Sequence, residues 1–216
     1  MTGFALKITA LVFMFVEHFG RYLPELFPYR WPLYFEYPGR IVAPIFFFLS
    51  VEGFFKTSSR RKYIQRLYLW AGIMEAGNYL VGWLVKTQVN PEYFFKPGQN
   101  IFLSIAFGIS MIAAFEMARN AEGDKKKKWG GVLLGIIFMF ASLLSEASYN
   151  GLLMYLVFYF FYNKKPGLYY AYAGISILLL LWGLTNIESF WVFEFQWMMI
   201  AALPFLILYN GERGSR

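Results

Sequence analysis

The sequence predicts an all-α bundle of about eight membrane-spanning helices. Three observations favour this fold class. Of the 216 residues, 58% are hydrophobic, 22% are aromatic and only 15% are charged, whereas a soluble domain carries charge on about a quarter of its positions. The apolar residues form long blocks that a soluble core of this size could not bury. Lysine and arginine concentrate in every second connection between these blocks.

The apolar blocks have the lengths of membrane helices, because a spanning helix needs about 20 residues, within a range of about 17–25. Runs such as residues 175–182 (ISILLLLW) lack the strict alternation of a transmembrane β-barrel. The second, fifth and sixth blocks are short, and a re-entrant hairpin is the alternative to two full spans around residues 147–162. The predicted spans are residues 4–19, 41–55, 64–85, 101–118, 129–144, 147–162, 168–184 and 190–209.

The distribution of positive charge predicts the orientation of these helices. The second and fourth connections, residues 56–66 (KTSSRRKYIQR) and 119–128 (RNAEGDKKKK), are strongly basic, and the sixth connection and the C-terminal tail are basic too. The odd-numbered connections carry few cations, and the arginines of the first one are partly balanced by Glu25 and Glu36. Because cytoplasmic loops are enriched in lysine and arginine, we expect both termini in the cytoplasm of an inner (plasma) membrane.

Composition also limits the cofactors and partners. The absence of cysteine excludes disulfides and thiolate metal sites, and the single histidine, His18, excludes a multi-histidine site, so we expect no metal. The cations that give the net charge of +7 are distributed as the membrane topology predicts, so the predicted partner is the lipid bilayer and not nucleic acid. The first block lacks a basic leader and a cleavage site, which predicts a retained helix. We predict a single domain over residues 1–216.

The first connection, residues 21–38, is rich in proline and aromatic residues. Tyrosine and tryptophan are enriched at the membrane–water interface. We therefore expect this segment to be a loop that lies flat against the outer surface.

Ionisable side chains at membrane depth are costly, so each is a functional candidate. Glu17 and His18 end the first block, and histidine is the side chain that exchanges protons near neutral pH. The alternative for His18 is an interfacial histidine that is hydrogen-bonded to a loop carbonyl. Arg40 begins the second block at the same level, where it could pair with Glu17, hold an anionic group or extend to the interface.

Three further candidates lie inside predicted spans. Glu52 lies in an apolar helix and needs a cationic partner such as Arg61 or Arg66, which favours a structural ion pair. Glu75 and Asn78 are three residues apart and share one face of the third helix, which indicates either an interior polar site or polar contacts between helices.

The other polar residues lie near predicted helix ends. Asn100 and Ser104 are one turn apart at the outer start of the fourth helix, and Tyr149 and Asn150 start the sixth helix at that level. Glu116 and Glu146 are expected only to reach water.

The second connection combines hydroxyl groups and cations just before a helix. Positive-inside topology alone explains most basic runs, and the four lysines at 125–128 are interpreted only in that way, with attraction to anionic lipid. Thr57, Ser58 and Ser59 make the second connection different. Hydroxyls, backbone N–H groups at a helix start and arginine forks together suit a phosphate-bearing ligand.

Six blocks, in order along nearly the whole chain, resemble the TraX family of integral membrane proteins, which is related to transmembrane acyltransferases. The most specific block is GRIVAPIFFFLSVEGFFKTSSRRKY at residues 39–63. The chain departs from the family pattern at Glu17, where the family commonly has Asp, and family members usually continue past the last block into a further hydrophobic helix. The other blocks are EHFG (17–20), RLYLWAGIMEAGNY (66–79), QNIFLSIAFGISM (99–111), SYNGLLMYLVFYFF (148–161) and LPFLILYNGERG (203–214).

The resemblance implies acyl transfer from cytoplasmic acetyl-CoA, as acyl donor, to a hydroxyl or amine acceptor within or across the membrane. The family's namesake is associated with N-terminal acetylation of pilin. We hypothesise that His18, oriented by Glu17, acts as general base, and that Arg40, Asn78 or Asn100 stabilises the oxyanion. The donor-binding candidates are Lys56, Thr57, Ser58, Arg60, Arg61, Arg66 and Glu52, and the acceptor-binding candidates are Glu75, Tyr149 and Asn150.

The predicted topology separates His18 from the basic connection by about 30 Å of hydrocarbon. The extended pantetheine arm of CoA would have to bridge much of that distance. Two other function classes stay open, namely a membrane transporter or lipid flippase and a non-catalytic membrane assembly protein. The absence of an inverted repeat in the sequence disfavours a transporter. The acceptor, whether a protein N-terminus, a glycan or a lipid, is left open.

Overall fold

A computed structural model describes residues 1–28, 31–86, 100–185 and 195–214. All regular secondary structure in these residues is helical, which confirms the predicted all-α class. The predicted third and seventh connections fall in residues 87–99 and 186–194 and lie outside the described residues. The helices are α1 (Gly3–Tyr22), α2 (Trp31–Gly39), α3 (Val42–Lys56), α4 (Arg60–Lys86), α5 (Ile101–Arg119), α6 (Lys125–Leu143), α7 (Ser148–Phe160), α8 (Lys165–Leu184) and α9 (Leu203–Ile207), with short 3₁₀ segments at Pro24–Leu26 and Phe195–Ala202.

Four segments of the described chain are long and apolar enough to cross a membrane, which supports the predicted membrane protein. They are Gly3–Arg21, Tyr34–Lys56, Ile101–Arg119 and Lys165–Leu184. Helix α4 extends over 27 residues and includes Arg60, Arg61, Lys62 and Arg66 of the second connection, and α7 has only 13 residues. The count of about eight spans therefore stays a prediction.

The chain divides into two compact units. The terminal unit comprises Met1–Leu49 and Phe160–Arg216, and the central unit comprises Ser50–Tyr159. Helix α3 begins in the terminal unit and ends in the central unit.

In the terminal unit, the segment that was expected to be a flat interfacial loop contains helix α2, which packs against α1. The aromatic residues of this segment explain the difference, because Phe27 lies 5.7 Å from Phe19 and 4.8 Å from Phe35 between ring centroids. Gly20 on α1 lies directly against the Phe35 ring, where a Cβ atom would overlap it. These aromatic rings therefore pack α2 onto α1.

The last described residues of the terminal unit are bonded to the start of α1. Gly3 N donates to the carbonyl of Glu212 at 2.7 Å, and Phe4 N donates to that of Arg213 at 2.9 Å. These bonds satisfy two of the N–H groups that the first turn of a helix leaves unpaired. Gly211 and Gly214 supply the φ values of +81° that the segment needs. Residues 1–4 and 208–213 thus lie at the same end of this unit, while the side of the membrane they face stays a prediction.

In the central unit, α5 packs between α4 and α6. Glycines on α6 allow the close approach, because Gly131 lies against the backbone of Ala114 and Ala118, and Gly135 lies against the Phe115 ring. Successive helices run in opposite directions, so the start of α4, the end of α5 and the start of α6 share one end of the unit. We call this the basic end, and its cations are Lys56, Arg60, Arg61, Lys62, Arg66, Arg119 and Lys125–Lys128.

Gly131→Ala and Gly130→Ala should change stability in opposite directions. A Cβ atom at Gly131 would lie 2.7 Å from Ala118 N and 2.8 Å from Ala114 O, whereas a Cβ atom at Gly130 meets nothing within 4 Å. We expect Gly131→Ala to lower the free energy of unfolding by about 1–3 kcal/mol, because backbone atoms must move apart. Gly130→Ala should raise it by up to about 1 kcal/mol through helix propensity. Unfolding in mixed micelles measures both, and equal effects would contradict the packing described.

Candidate functional site

The hydrogen bond of His18 defines which ring nitrogen can accept a proton. His18 is half-buried in the last turns of α1, and its Nδ1 lies 2.8 Å from the carbonyl oxygen of Met14. A carbonyl oxygen can only accept, so Nδ1 carries the hydrogen and donates it. In the neutral ring, Nε2 is then the nitrogen with the lone pair. This is the tautomer that a general base needs when it acts through Nε2.

Beside His18, four charged side chains of alternating sign form what we call the charged cluster: Glu17, Arg21, Glu36 and Arg40. Arg21 Nη2 lies 2.8 Å from Glu17 and 3.9 Å from Glu36, and Arg40 Nη2 lies 3.5 Å from Glu36. The Glu17 side chain is 14% exposed. Its carboxylate also lies against the Cα of Gly39, where a Cβ atom would overlap it. The turn that holds Arg40 is therefore close to the end of α1 that holds Glu17 and His18.

Arg40 is fixed by more contacts than the sequence indicated. Its Nη1 donates to Oε1 of Gln196 at 3.2 Å, and its guanidinium carbon lies 4.5 Å from the centroid of the Phe195 ring. Its partner on α2 is Glu36, while the Glu17 carboxylate bonds to Arg21. The Arg40 Nε atom is buried and has no hydrogen-bond partner among the described residues. A buried N–H donor without an acceptor is costly, which marks it as a candidate donor to a ligand.

At the basic end, the hydroxyl residues of the second connection shape the turn between α3 and α4. Thr57 Oγ1 accepts from Ser59 N, and Ser59 Oγ accepts from Lys62 N, both at 3.4 Å. Ser58 is exposed. Two of the three hydroxyl groups therefore stabilise the start of α4.

A tyrosine on α4 holds this turn against α3. Tyr63 lies above Gly53, where a Cβ atom would be 2.9 Å from its hydroxyl oxygen, and that hydroxyl donates to the Ser50 carbonyl at 3.1 Å. Burial raises the pKa of Tyr63 to about 12. Its hydroxyl therefore stays protonated, and the bond persists, at any physiological pH.

The cations of the second connection differ in their surroundings. Lys56 lies 2.6 Å from Glu52, so the ion partner of Glu52 is one helical turn away on α3 and is neither Arg61 nor Arg66. Arg61 and Arg66 are exposed and form an ion pair with no carboxylate in the described part of the chain. These two arginines are available to bind an anion from solution.

Glu116 is a buried carboxylate whose role the sequence did not indicate. It was expected only to reach water, yet its side chain is 4% exposed. It contacts Arg60 at 3.8 Å and Arg119 at 3.1 Å, and it accepts from the Tyr159 hydroxyl at 2.9 Å. Its position within an apolar helix, three residues before an arginine, was the signal that could have identified it.

The remaining candidates lie towards the other end of the central unit. Asn100 caps α5, because its Oδ1 accepts from Leu103 N at 3.0 Å, and its Nδ2 donates to the Ala71 carbonyl at 2.8 Å and to Glu75 at 3.0 Å. Its amide thus links α5 to α4, and its hydrogen atoms are used in those bonds. Asn78 is buried one turn beyond Glu75 on α4.

The start of α7 holds the last two candidates. Tyr149 is exposed, and the Oδ1 atom of Asn150 is buried without a hydrogen-bond partner in the described residues. The preceding residue, Ser148, has a φ of +45°, a strained value for a residue with a side chain. Ala147 N donates to Ser104 Oγ at 3.1 Å, which attaches this start of α7 to α5.

The structure therefore brings the candidates together in three groups. His18, Glu17 and Arg40 belong to the terminal unit, the second connection forms part of the basic end of the central unit, and Glu75 and Asn100 are bonded to each other. Gln196 is a further member of the first group, and Glu116 is a further member of the second group. Neither residue was a candidate from the sequence.

A protein-family model and one curated protein match this chain over nearly its whole length. A protein-family model described as "TraX protein" matches residues 2–216. The Dichelobacter nodosus protein named "Probable fimbrial assembly protein FimC, serogroup H1" is 24% identical over an alignment of 226 residues, which covers 100% of this chain and 86% of that protein. No solved structure matches the chain.

Proposed function

The chain belongs to the TraX protein family, as its six sequence blocks predict, and from that membership we propose that it is a membrane acyltransferase in a pilus-related assembly system. The acetyl group comes from acetyl-CoA, and the acceptor is an amine or a hydroxyl at the membrane. The observation that carries the proposal is the hydrogen bond from His18 Nδ1 to the Met14 carbonyl, which puts the lone pair of the neutral ring on Nε2.

The proposed reaction is a direct acyl transfer. The acceptor nitrogen or oxygen attacks the thioester carbonyl carbon while His18 Nε2 takes the proton of the acceptor. The tetrahedral oxyanion that forms is stabilised by the Nε–H group of Arg40, which has no other described hydrogen-bond acceptor. When the carbon–sulfur bond breaks, the CoA thiolate leaves and takes the proton from His18. The acceptor leaves acetylated, and free CoA is the second product.

Donor binding and the chemical step use different residues in this proposal. The basic end of the central unit binds the phosphates of CoA through Arg61, Arg66 and the turn at Thr57–Ser59, because guanidinium groups form paired hydrogen bonds with phosphate. Lys56 and Glu52 bond to each other beside that turn and position it. His18 supplies the base, and Arg40 supplies the oxyanion donor. We assign structural roles to Asn78, Asn100 and Glu75, and we leave the acceptor contacts to Tyr149 and Asn150 as a proposal.

Acyl transfer can be tested in inverted membrane vesicles that contain this chain. The vesicles receive radiolabelled acetyl-CoA, and label is then counted separately in protein, lipid and glycan fractions. A thiol reagent follows CoA release in the purified protein, because the chain has no cysteine to add background. We expect one fraction to gain label only when the chain is present. If no fraction gains label over vesicles that lack the chain, the acyltransferase proposal is wrong.

A second candidate function is fimbrial assembly without chemistry, which the name of the Dichelobacter nodosus relative favours. Complementation of a deletion strain separates the two. If the His18→Asn variant restores surface fimbriae as well as the natural chain does, assembly needs no acyl transfer. If only the natural chain restores them, the chemistry and the assembly role belong together.

A further inference from the structure

Two arginines at the basic end form ion pairs with the same carboxylate, that of Glu116. Glu116 lies on α5 with 4% of its side chain exposed, while the side chains of Arg60 and Arg119 are 46% and 64% exposed. A buried carboxylate is stable only when it is paired and hydrogen-bonded. Arg60, Arg119 and the Tyr159 hydroxyl meet that need from α4, α5 and α7.

The pairing leaves surplus positive charge in a fixed place. One carboxylate neutralises one guanidinium, so two arginines on Glu116 retain one positive charge between them. A stable ion pair needs only one arginine. The second arginine therefore leaves one positive charge at the exposed side of the ion pair, where it can attract an anion.

Arg60 is also oriented by aromatic rings. Its guanidinium carbon lies 4.7 Å from the centroid of the Phe54 ring and 5.9 Å from that of Phe55. Stacking uses a face of the planar guanidinium, and the ion pair with Glu116 is made by Nη1 at 3.8 Å. The Arg60 side chain is 46% exposed, so a ligand in solvent can reach it.

We infer that Arg60 and Arg119 form a phosphate-binding fork at the basic end, and that Glu116 is the positioning residue that holds the fork open. The ligand is a phosphate ester, from either the CoA of the proposed function or the headgroup of an anionic lipid. Both guanidinium groups lie within 3.8 Å of the same carboxylate and are therefore close to each other. Guanidinium groups bind phosphate through paired, charge-assisted hydrogen bonds. The CoA source rests on the proposed function, and the fork itself does not.

The direction in which Glu116→Gln changes anion binding distinguishes positioning of the arginines from simple charge attraction. Glu116→Gln removes a negative charge from the basic end, so non-specific attraction of an anion would become stronger. If Glu116 positions the arginines, the same change releases them, and binding becomes weaker although the local charge is more positive. The Tyr159 hydroxyl can still donate to the glutamine oxygen, which favours retention of the fold.

The test measures binding of CoA to the full chain in phosphatidylcholine nanodiscs by isothermal titration calorimetry. We expect Glu116→Gln to weaken CoA binding about tenfold, the loss expected for one charge-assisted hydrogen bond. The matched control is Glu122→Gln, which removes an exposed acid of the same end and should bind CoA as tightly as the natural chain or more tightly. If Glu116→Gln, folded by circular dichroism, leaves the binding of both CoA and phosphatidylglycerol unchanged or tighter, the positioning role is wrong.

A second pair of variants keeps the inference testable if Glu116→Gln does not fold. Arg60→Lys and Arg119→Lys keep the charge and remove the fork, and each should weaken binding several-fold, whereas Lys165→Arg in the terminal unit should not. Unchanged binding of both CoA and phosphatidylglycerol in both fork variants overturns the inference.

Native mass spectrometry with phosphatidylglycerol distinguishes the ligand sources. Glu116-dependent retention of phosphatidylglycerol, with CoA binding unaffected, assigns the fork to lipid. A natural chain that binds neither ligand overturns the fork. None of these measurements needs an acceptor, so a failure of acyl transfer would leave a Glu116-dependent binding result intact.

Discussion

The His18→Asn variant is expected to transfer acyl groups about 10²–10⁴-fold more slowly than the natural chain, the usual contribution of a general base. Asparagine can keep a hydrogen bond to the Met14 carbonyl through its amide, but it has no ring nitrogen that accepts a proton. The loss should fall on kcat and leave KM for acetyl-CoA nearly unchanged, because His18 is not one of the residues proposed to bind the phosphates. Steady-state kinetics of CoA release measure both constants.

The matched comparison for His18 is a variant of the basic end. Arg61→Gln removes an exposed arginine and should raise KM for acetyl-CoA with little effect on kcat. Opposite patterns in the two variants support a chemical role for His18 and a donor-binding role for Arg61. A His18→Asn enzyme that keeps the kcat of the natural chain would remove the general base from the mechanism.

Most of the fold could be predicted from hydropathy, because the bilayer requires long apolar helices with internally paired backbones. The predicted block 101–118 corresponds to α5 at Ile101–Arg119, and the block 168–184 corresponds to α8 at Lys165–Leu184. Helix α2 could not be predicted in the same way. Its aromatic residues suit an interfacial loop as well as a helix, and only the contact of Phe35 with Phe27, which in turn contacts Phe19, decides between the two.

The candidate site was predicted less completely than the fold, because pairing depends on which helices become neighbours. The sequence singled out Arg40, but its partner Gln196 lies 156 positions away and could not be inferred from spacing. Glu116 was missed for a related reason. A carboxylate near a predicted helix end is expected to be exposed to solvent. The burial of Glu116 depends on its contacts with Arg60 and Tyr159, which lie on two other helices.

Replacement of Arg40 by alanine should lower kcat about 10²–10³-fold, the loss measured when an enzyme loses one oxyanion donor. The buried Nε–H group has no hydrogen-bond acceptor within the described chain, so an oxyanion is the acceptor that would satisfy it. The substitution also removes the contacts with Glu36, Gln196 and the Phe195 ring. A lower rate alone therefore does not separate a chemical role from a structural one.

Chemical rescue makes that separation. Guanidinium ion added to Arg40→Ala can enter the space that the side chain leaves and restore an N–H donor there, so we expect kcat to recover in proportion to its concentration. An ammonium ion carries the same charge without the planar array of donors and should rescue much less.

Arg40→Lys should stay slow for the same reason, although it keeps the charge beside Glu36. If Arg40→Lys is as fast as the natural chain, a point charge is sufficient, and the Nε–H group is not the oxyanion donor. If guanidinium fails to restore Arg40→Ala while the variant melts at the temperature of the natural chain, the role of Arg40 lies outside the chemical step.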